Sequence, residues 1–280
     1  MKTKRIMTLA LLMAVAVAGK AQTEVTTFVP GSTLEGISYF LPRTAFRVTI
    51  KADKTVTKPG DFNKYAERYL HLNKVPTTES VRWEIKSITL EPYGVPDMTK
   101  AYSIKLRSKT VAPLVGLSKE GILLSINTDA EETVLPPLPQ ATQDPAPADP
   151  RAFMTQEILS AGSVAKMAEL CAQEIYDIRE SRNALVRGEA DNTPKDGAQL
   201  QLMLNQLAQQ DQALTSLFAG TEHTTHEVFS LTYDPRQETN KEVLFRFSHK
   251  LGILAADDLA GDPVYISLKC TETLPQAVAD

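Results

Sequence analysis

The chain has little of what chemistry usually needs. In 280 residues there are two cysteines, one tryptophan and four histidines, and aromatic residues make up only 6%. A nucleophile elbow of the form G-x-S-x-G is absent. So are a phosphate loop ending in Gly-Lys-Ser/Thr and a G-x-G-x-x-G turn, which removes three common routes to hydrolysis and nucleotide binding. No basic run exceeds two residues and the net charge is −4, so neither nucleic acid nor an anionic membrane surface is an expected partner. Sparse aromatics also argue against a carbohydrate-stacking face. Cys171 and Cys270 would close a loop of about 100 residues if paired, but spacing does not give connectivity, and two buried thiols are the favoured reading.

What is present begins with the first residues. Lys2, Lys4 and Arg5 precede an apolar run from Met7 to Gly19, too short to span a bilayer as an ordinary helix. Small residues Gly19 and Ala21 then stand where a signal peptidase reads, so a cut after Ala21 is expected. No cysteine lies near the cut to accept a lipid. The expectation is an exported chain, periplasmic or peripherally attached at the outer membrane, with no transmembrane span once processed. The cut removes four positive charges, taking the net charge from −4 to −8. With 42% hydrophobic residues, the remaining chain of about 259 residues can bury a core as one large domain or two small ones.

Residues 22–130 read as a β-rich domain with one short helix. "FRVTI", "VRWEI" and "YSIKL" alternate apolar and polar residues with the period of a half-buried strand. Pro42 suggests a turn or an edge. "EPYGVPD" (91–97) reads as a turn held by two prolines and a glycine. Between them, Asp61 is the expected cap of a helix carrying Phe62, Tyr65, Ala66 and Tyr69. Residues 131–151 hold six of the chain's 17 prolines and no periodic apolar face, which predicts a linker or a long surface crossing.

Residues 152–280 predict a helical hairpin (about 155–219) followed by strands. Val164, Ala168, Cys171, Ile175, Ile178, Arg182 and Leu185 step by four and three. So do Leu200, Leu204, Leu207, Asp211, Leu214 and Phe218. A short elbow makes the helices antiparallel. Arg182 and Asp211 then fall ~12–15 Å apart along the axis, too far to pair, so each needs solvent, the sheet or a partner. "EVFSLTY", "EVLFRFS" and "VYISLKC" predict the returning strands, with "DPRQETNK" and "AADDLAGDP" as hairpin connections. The fold class expected is α+β: a β-rich N-terminal half, a Pro-rich crossing, an antiparallel helical hairpin and returning C-terminal strands.

Candidate sites are few. Glu222, His223 and His226 offer metal-binding side chains, but the histidines are three apart with no glutamate between them, and a polar turn entering a strand is the simpler reading. Tyr65, Glu67, Arg68 and Tyr69 would make a sugar-binding face, or else an amphipathic helix packed on the sheet. The elbow "RESRNALVRGEADNTPKDG" (179–197) fails as a calcium loop, because Pro194 stands where glycine is required. It reads better as punctuation. Gly188 ends one helix, Thr193 caps the next, Pro194 opens it and Asp196 sits near its positive end. That leaves Arg179, Arg182, Glu189 and Asp191 as a solvated charged face or a candidate partner-binding set. No residue pattern calls for a catalytic role, a metal or a cofactor.

Three stretches, "YFLPRTAFRVTIKADKTVTKPGDFNKYAERYL", "EPYGVPD" and "EIYDIRESRNALVRGEADNTPKDGAQL", together resemble a family of exported Bacteroidetes proteins known as domain of unknown function 4831. The resemblance implies export to the periplasm or outer envelope and carries no activity with it. The functional expectation is a non-enzymatic envelope protein that binds or scaffolds another envelope protein. An enzyme acting on envelope glycans or peptides, and a small-ligand or glycan binder, are the alternatives.

Overall fold

A computed structural model describes residues 23–27, 36–106, 115–132, 134–191, 194 and 196–270. The expected signal segment and Thr193 lie outside the described residues. Ten strands are described: β1 (Thr23–Thr27), β2 (Ile37–Lys58), β3 (Ser80–Leu106), β4 (Val115–Leu117), β5 (Leu123–Ile126), β6 (Thr142–Gln143), β7 (Thr221–Tyr233), β8 (Thr239–Ser248), β9 (Gly252–Leu254) and β10 (Asp262–Leu268). The α-helices are α1 (Ala66–Leu70), α2 (Gln156–Leu159), α3 (Val164–Arg187) and α4 (Gly197–Ala219), with 3-10 turns at Asn63–Tyr65 and Pro150–Phe153. The fold is a mixed α+β one with a β-rich N-terminal half.

The strands form a five-stranded sheet of order β1-β3-β2-β7-β6, a three-stranded sheet of order β10-β8-β9, and the β4-β5 pair. One returning strand, β7, therefore joins the N-terminal strands, whereas β8 and β10 pair with each other. "DPRQETNK" is accordingly not a hairpin connection, because β7 and β8 belong to different sheets. Packing divides the chain into two units of interleaved segments: residues 1–48, 90–137 and 231–238, and residues 49–89, 138–230 and 239–280.

In the first unit the buried apolar residues include Tyr39, Ala45, Val48, Ile104 and Ile122. Tyr39 stacks on Tyr102 at 5.8 Å between centroids. Arg47 donates from Nε and a terminal nitrogen to one oxygen of Glu91, at 2.8 and 2.6 Å. Strands β2 and β3 run through the prolines that suggested turns. Pro92 and Pro96 are an even number of residues apart, so both missing N–H groups fall on one edge and the other edge stays available for pairing. Gly94, between them, sits against Pro42 of β2.

In the second unit the helices build a core of their own. Phe62, Ala66 and Leu70 pack with Ile158, Ala168, Cys171, Ile175, Ile178, Leu214, Leu217 and Phe218. Asp61 is exposed and does not cap α1. The chain enters through the 3-10 turn, held by Phe62 N–H donating to the Leu217 carbonyl at 2.7 Å, and leaves at His71 in the left-handed region. Tyr65 and Tyr69 lie against this helical core rather than on the sheet. Helix α3 is capped by Ser163, whose hydroxyl accepts from Lys166 N–H. It ends at Gly188 with φ +72°, as its sequence requires. Helix α4 starts later than its sequence suggests. Asp196 is the cap, accepting from Ala198 N–H, and Pro194 precedes the helix instead of opening it. Cys171 is fully buried and Cys270 exposed, and no disulfide joins them.

Candidate functional site

The hairpin outlasts its core. On α3 the buried residues run from Ala168 to Ile178, and beyond them only Leu185 is buried. On α4 they begin at Ala213. Farther out on α4, Leu200 and Leu204 are half-buried, Leu207 packs against the core, and Val186 on α3 and Leu202 on α4 are 66% and 68% exposed. Val164, placed on the seam by its spacing, is also exposed, because it is the first residue of α3.

The four charges singled out in the elbow separate into two groups. Arg179 and Glu189 line one shallow hollow of about 390 Å³ on the outer side of α3, with Tyr176, Glu180, Asn183 and Arg187. Arg182 and Asp191 are exposed outside it. Arg179 is the organised member. Its Nε donates to Asp211 Oδ1 at 3.0 Å, and a terminal nitrogen lies 2.9 Å from the same oxygen and 3.2 Å from the Thr215 hydroxyl. Thr215 in turn donates to Asp211 at 3.1 Å. The guanidinium carbon sits 5.9 Å from the Tyr176 ring centroid, and the Tyr176 hydroxyl donates to the Tyr69 carbonyl at 3.0 Å. Asp211 therefore reaches neither Arg182 nor solvent alone; it holds Arg179. Arg187 lies 3.9 Å from Glu189.

A second polar cluster of the same unit lies on β2 and β7. Thr57 meets Glu222, Thr55 meets Thr224, and Asp53 meets His226, an antiparallel ladder of side chains on one face. His226 Nδ1 is 2.7 Å from Asp53 Oδ1, and its Nε2 is 3.5 Å from Asp144 Oδ1. Lys86 Nζ approaches Asp53 at 3.6 Å and Glu84 at 3.1 Å. The hydrogen bond to Asp53 raises the His226 pKa above its ordinary value; burial works against this, and the charges of Asp53 and Asp144 add to it. A hollow of about 410 Å³ adjoins, lined in part by Lys51, Lys86, Thr142, His226 and Glu227.

This arrangement rearranges the expected metal set. "EHTTH" is strand, not turn, and residues three apart on a strand face opposite ways. His226 turns to Asp53, while His223 Nε2 is bonded to the Gln143 side chain. Nor is Asp53–His226 a nucleophile-activating pair, because Nε2 faces a carboxylate and not a hydroxyl or thiol. On α1, Arg68 lies over the Tyr69 ring at 5.3 Å from its centroid. Sequence reasoning missed Asp53, Lys86 and Asp144, since only the fold brings them to His226.

No helix among the described residues is long and apolar enough to cross a membrane. No curated protein and no solved structure matches the chain. The family described as "Domain of unknown function (DUF4831)" matches residues 35–280, and the chain belongs to that family.

Proposed function

We propose that this is an exported, non-enzymatic envelope protein that binds another protein through the outer face of α3. The partner is a folded protein presenting acidic and basic side chains around a small apolar patch. The observation that carries the reading is the hollow at Tyr176, Arg179 and Arg187. Tyrosine and arginine are the residue types that dominate protein interfaces energetically. Here the Arg179 guanidinium is already fixed by Asp211, Thr215 and Tyr176, so little side-chain entropy remains to be lost on binding. Glu180 and Glu189 supply the opposite sign, and Val186 supplies nearby exposed apolar surface.

A photo-crosslinking residue at Asn183, in the lining, gives a discrete adduct in intact cells. The same residue at Leu259, 82% exposed elsewhere in this unit, gives none. Equal labelling at both positions removes the proposal. Export rests on the sequence of the first 21 residues and is tested separately: the mature chain recovered from the envelope begins at Gln22.

A further inference from the structure

Among the described residues, the proline-rich segment pairs with the sheet through one short strand. That strand is β6, where Thr142 and Gln143 pair with His226 and Thr225 of β7. One further backbone bond follows, from Asp144 N–H to the Thr224 carbonyl at 3.1 Å. Pro139 on one side and Pro145 and Pro147 on the other lack the N–H groups that would extend the ladder. Each flank instead borders a hollow. Pro139 and Gln140 line the one beside Lys86, and Pro145 to Ala148 line another of about 580 Å³ against Ser216 and Glu222. A two-residue pairing with proline on both sides is weak, and side chains must add to it.

Two side-chain contacts do so, on opposite faces of β7: Gln143 with His223, and Asp144 with His226. We propose that His226 is a proton-operated clasp which holds the 138–148 strap against β7 when charged and releases it when neutral. The geometry sets the direction. Nδ1 faces Asp53 at 2.7 Å, and Nε2 faces Asp144 at 3.5 Å. The imidazolium donates to both carboxylates. The neutral ring has one N–H, and the closer, less exposed Asp53 keeps it. Nε2 then presents a lone pair to the Asp144 carboxylate, and attraction becomes repulsion.

The other charges around the ring are Lys51 on β2, Lys86 and Glu84 on β3, and Glu222 and Glu227 on β7. Lys86 offsets part of the Asp53 charge, while the near carboxylates favour the protonated ring. Because the folded pKa is raised, the clasp is complete below the ordinary histidine value, about 6.5. It is lost as pH rises through the higher folded value.

The reporter is the Asp144 amide, followed by hydrogen exchange on the whole protein and corrected for the intrinsic base-catalysed rate. Its protection is expected to fall roughly two- to fivefold from pH 5.5 to 8.5, the scale of one exposed ion pair. His226→Gln and Asp144→Asn, the latter leaving Asp53–His226 intact, each abolish the pH dependence and leave the strap at its high-pH protection. His223→Gln lowers protection at every pH but keeps the dependence. The proposal is overturned if Asp144 protection does not change with pH in the native chain, or if the dependence survives Asp144→Asn.

Discussion

Arg179 on α3 and Asp211 on α4 are joined by two guanidinium nitrogens converging on a single carboxylate oxygen, at 3.0 and 2.9 Å. The pair closes the hairpin at the level where its buried core ends, and the same guanidinium faces Tyr176 on the outside. Structure and the proposed binding surface thus share one side chain.

That pair is measurable. Asp211→Ala and Arg179→Ala are each expected to cost about 1 kcal/mol in urea unfolding, since both partners remain partly solvated. A double-mutant cycle should return a coupling of several tenths to about 1 kcal/mol. Additive effects would mean that the contact contributes nothing to the fold.

The outer turns should be separable from the core. Ile175→Ala removes a fully buried side chain from the helical core and is expected to cost about 2–5 kcal/mol. Leu202→Ala, at an exposed position, should stay within about 0.5 kcal/mol. Denaturant midpoints at constant m compare the two directly.

Two glycines are required for different reasons. A Cβ at Gly60 would stand 2.2 Å from the Leu217 carbonyl oxygen, which is backbone and has no rotamer to yield. Gly188 has open space around it but sits at φ +72°. Gly60→Ala is expected to cost about 1–3 kcal/mol and Gly188→Ala about 1 kcal/mol. Asparagine, which tolerates the left-handed region, should recover most of the loss at 188 and none at 60, as read from thermal midpoints.

Burial first, and the charge of Glu174 second, push the Cys171 thiol up to about 11. Little thiolate exists there near neutral pH. A maleimide at pH 7.5 should therefore label the exposed Cys270 of the folded chain and add the second label only after unfolding. Rapid double labelling of the folded protein would contradict the packed seam.

The parts of this fold legible in the sequence are those that repeat locally. Ala168, Cys171, Ile175, Ile178, Leu214 and Phe218 announce themselves by helical spacing, and all six are buried. Pro92 and Pro96 mislead, because a local reading sees two turn formers and not the common edge on which both fall. Helical spacing places Arg182 too far from Asp211 to pair and leaves solvent, the sheet or another partner open; the partner is Arg179. The reach of an arginine side chain lets Arg179, off the apolar seam, take the place that Arg182 on the seam does not. Asp53 and His226 are separated by 173 positions, and nothing within either stretch marks them as neighbours. The elbow did offer Arg179 and Glu189 as unabsorbed charges, and both line the same hollow.

The central claim is that the α3 hollow binds a protein, and affinity for the partner crosslinked at Asn183 tests it most directly. With that partner purified, Tyr176→Ala and Arg187→Glu should each weaken binding by about tenfold or more, the loss expected at an interface hot spot. Circular dichroism and the unfolding midpoint of Arg187→Glu should match those of the native chain. Unchanged affinity in the folded Arg187→Glu and Tyr176→Ala proteins would contradict the account.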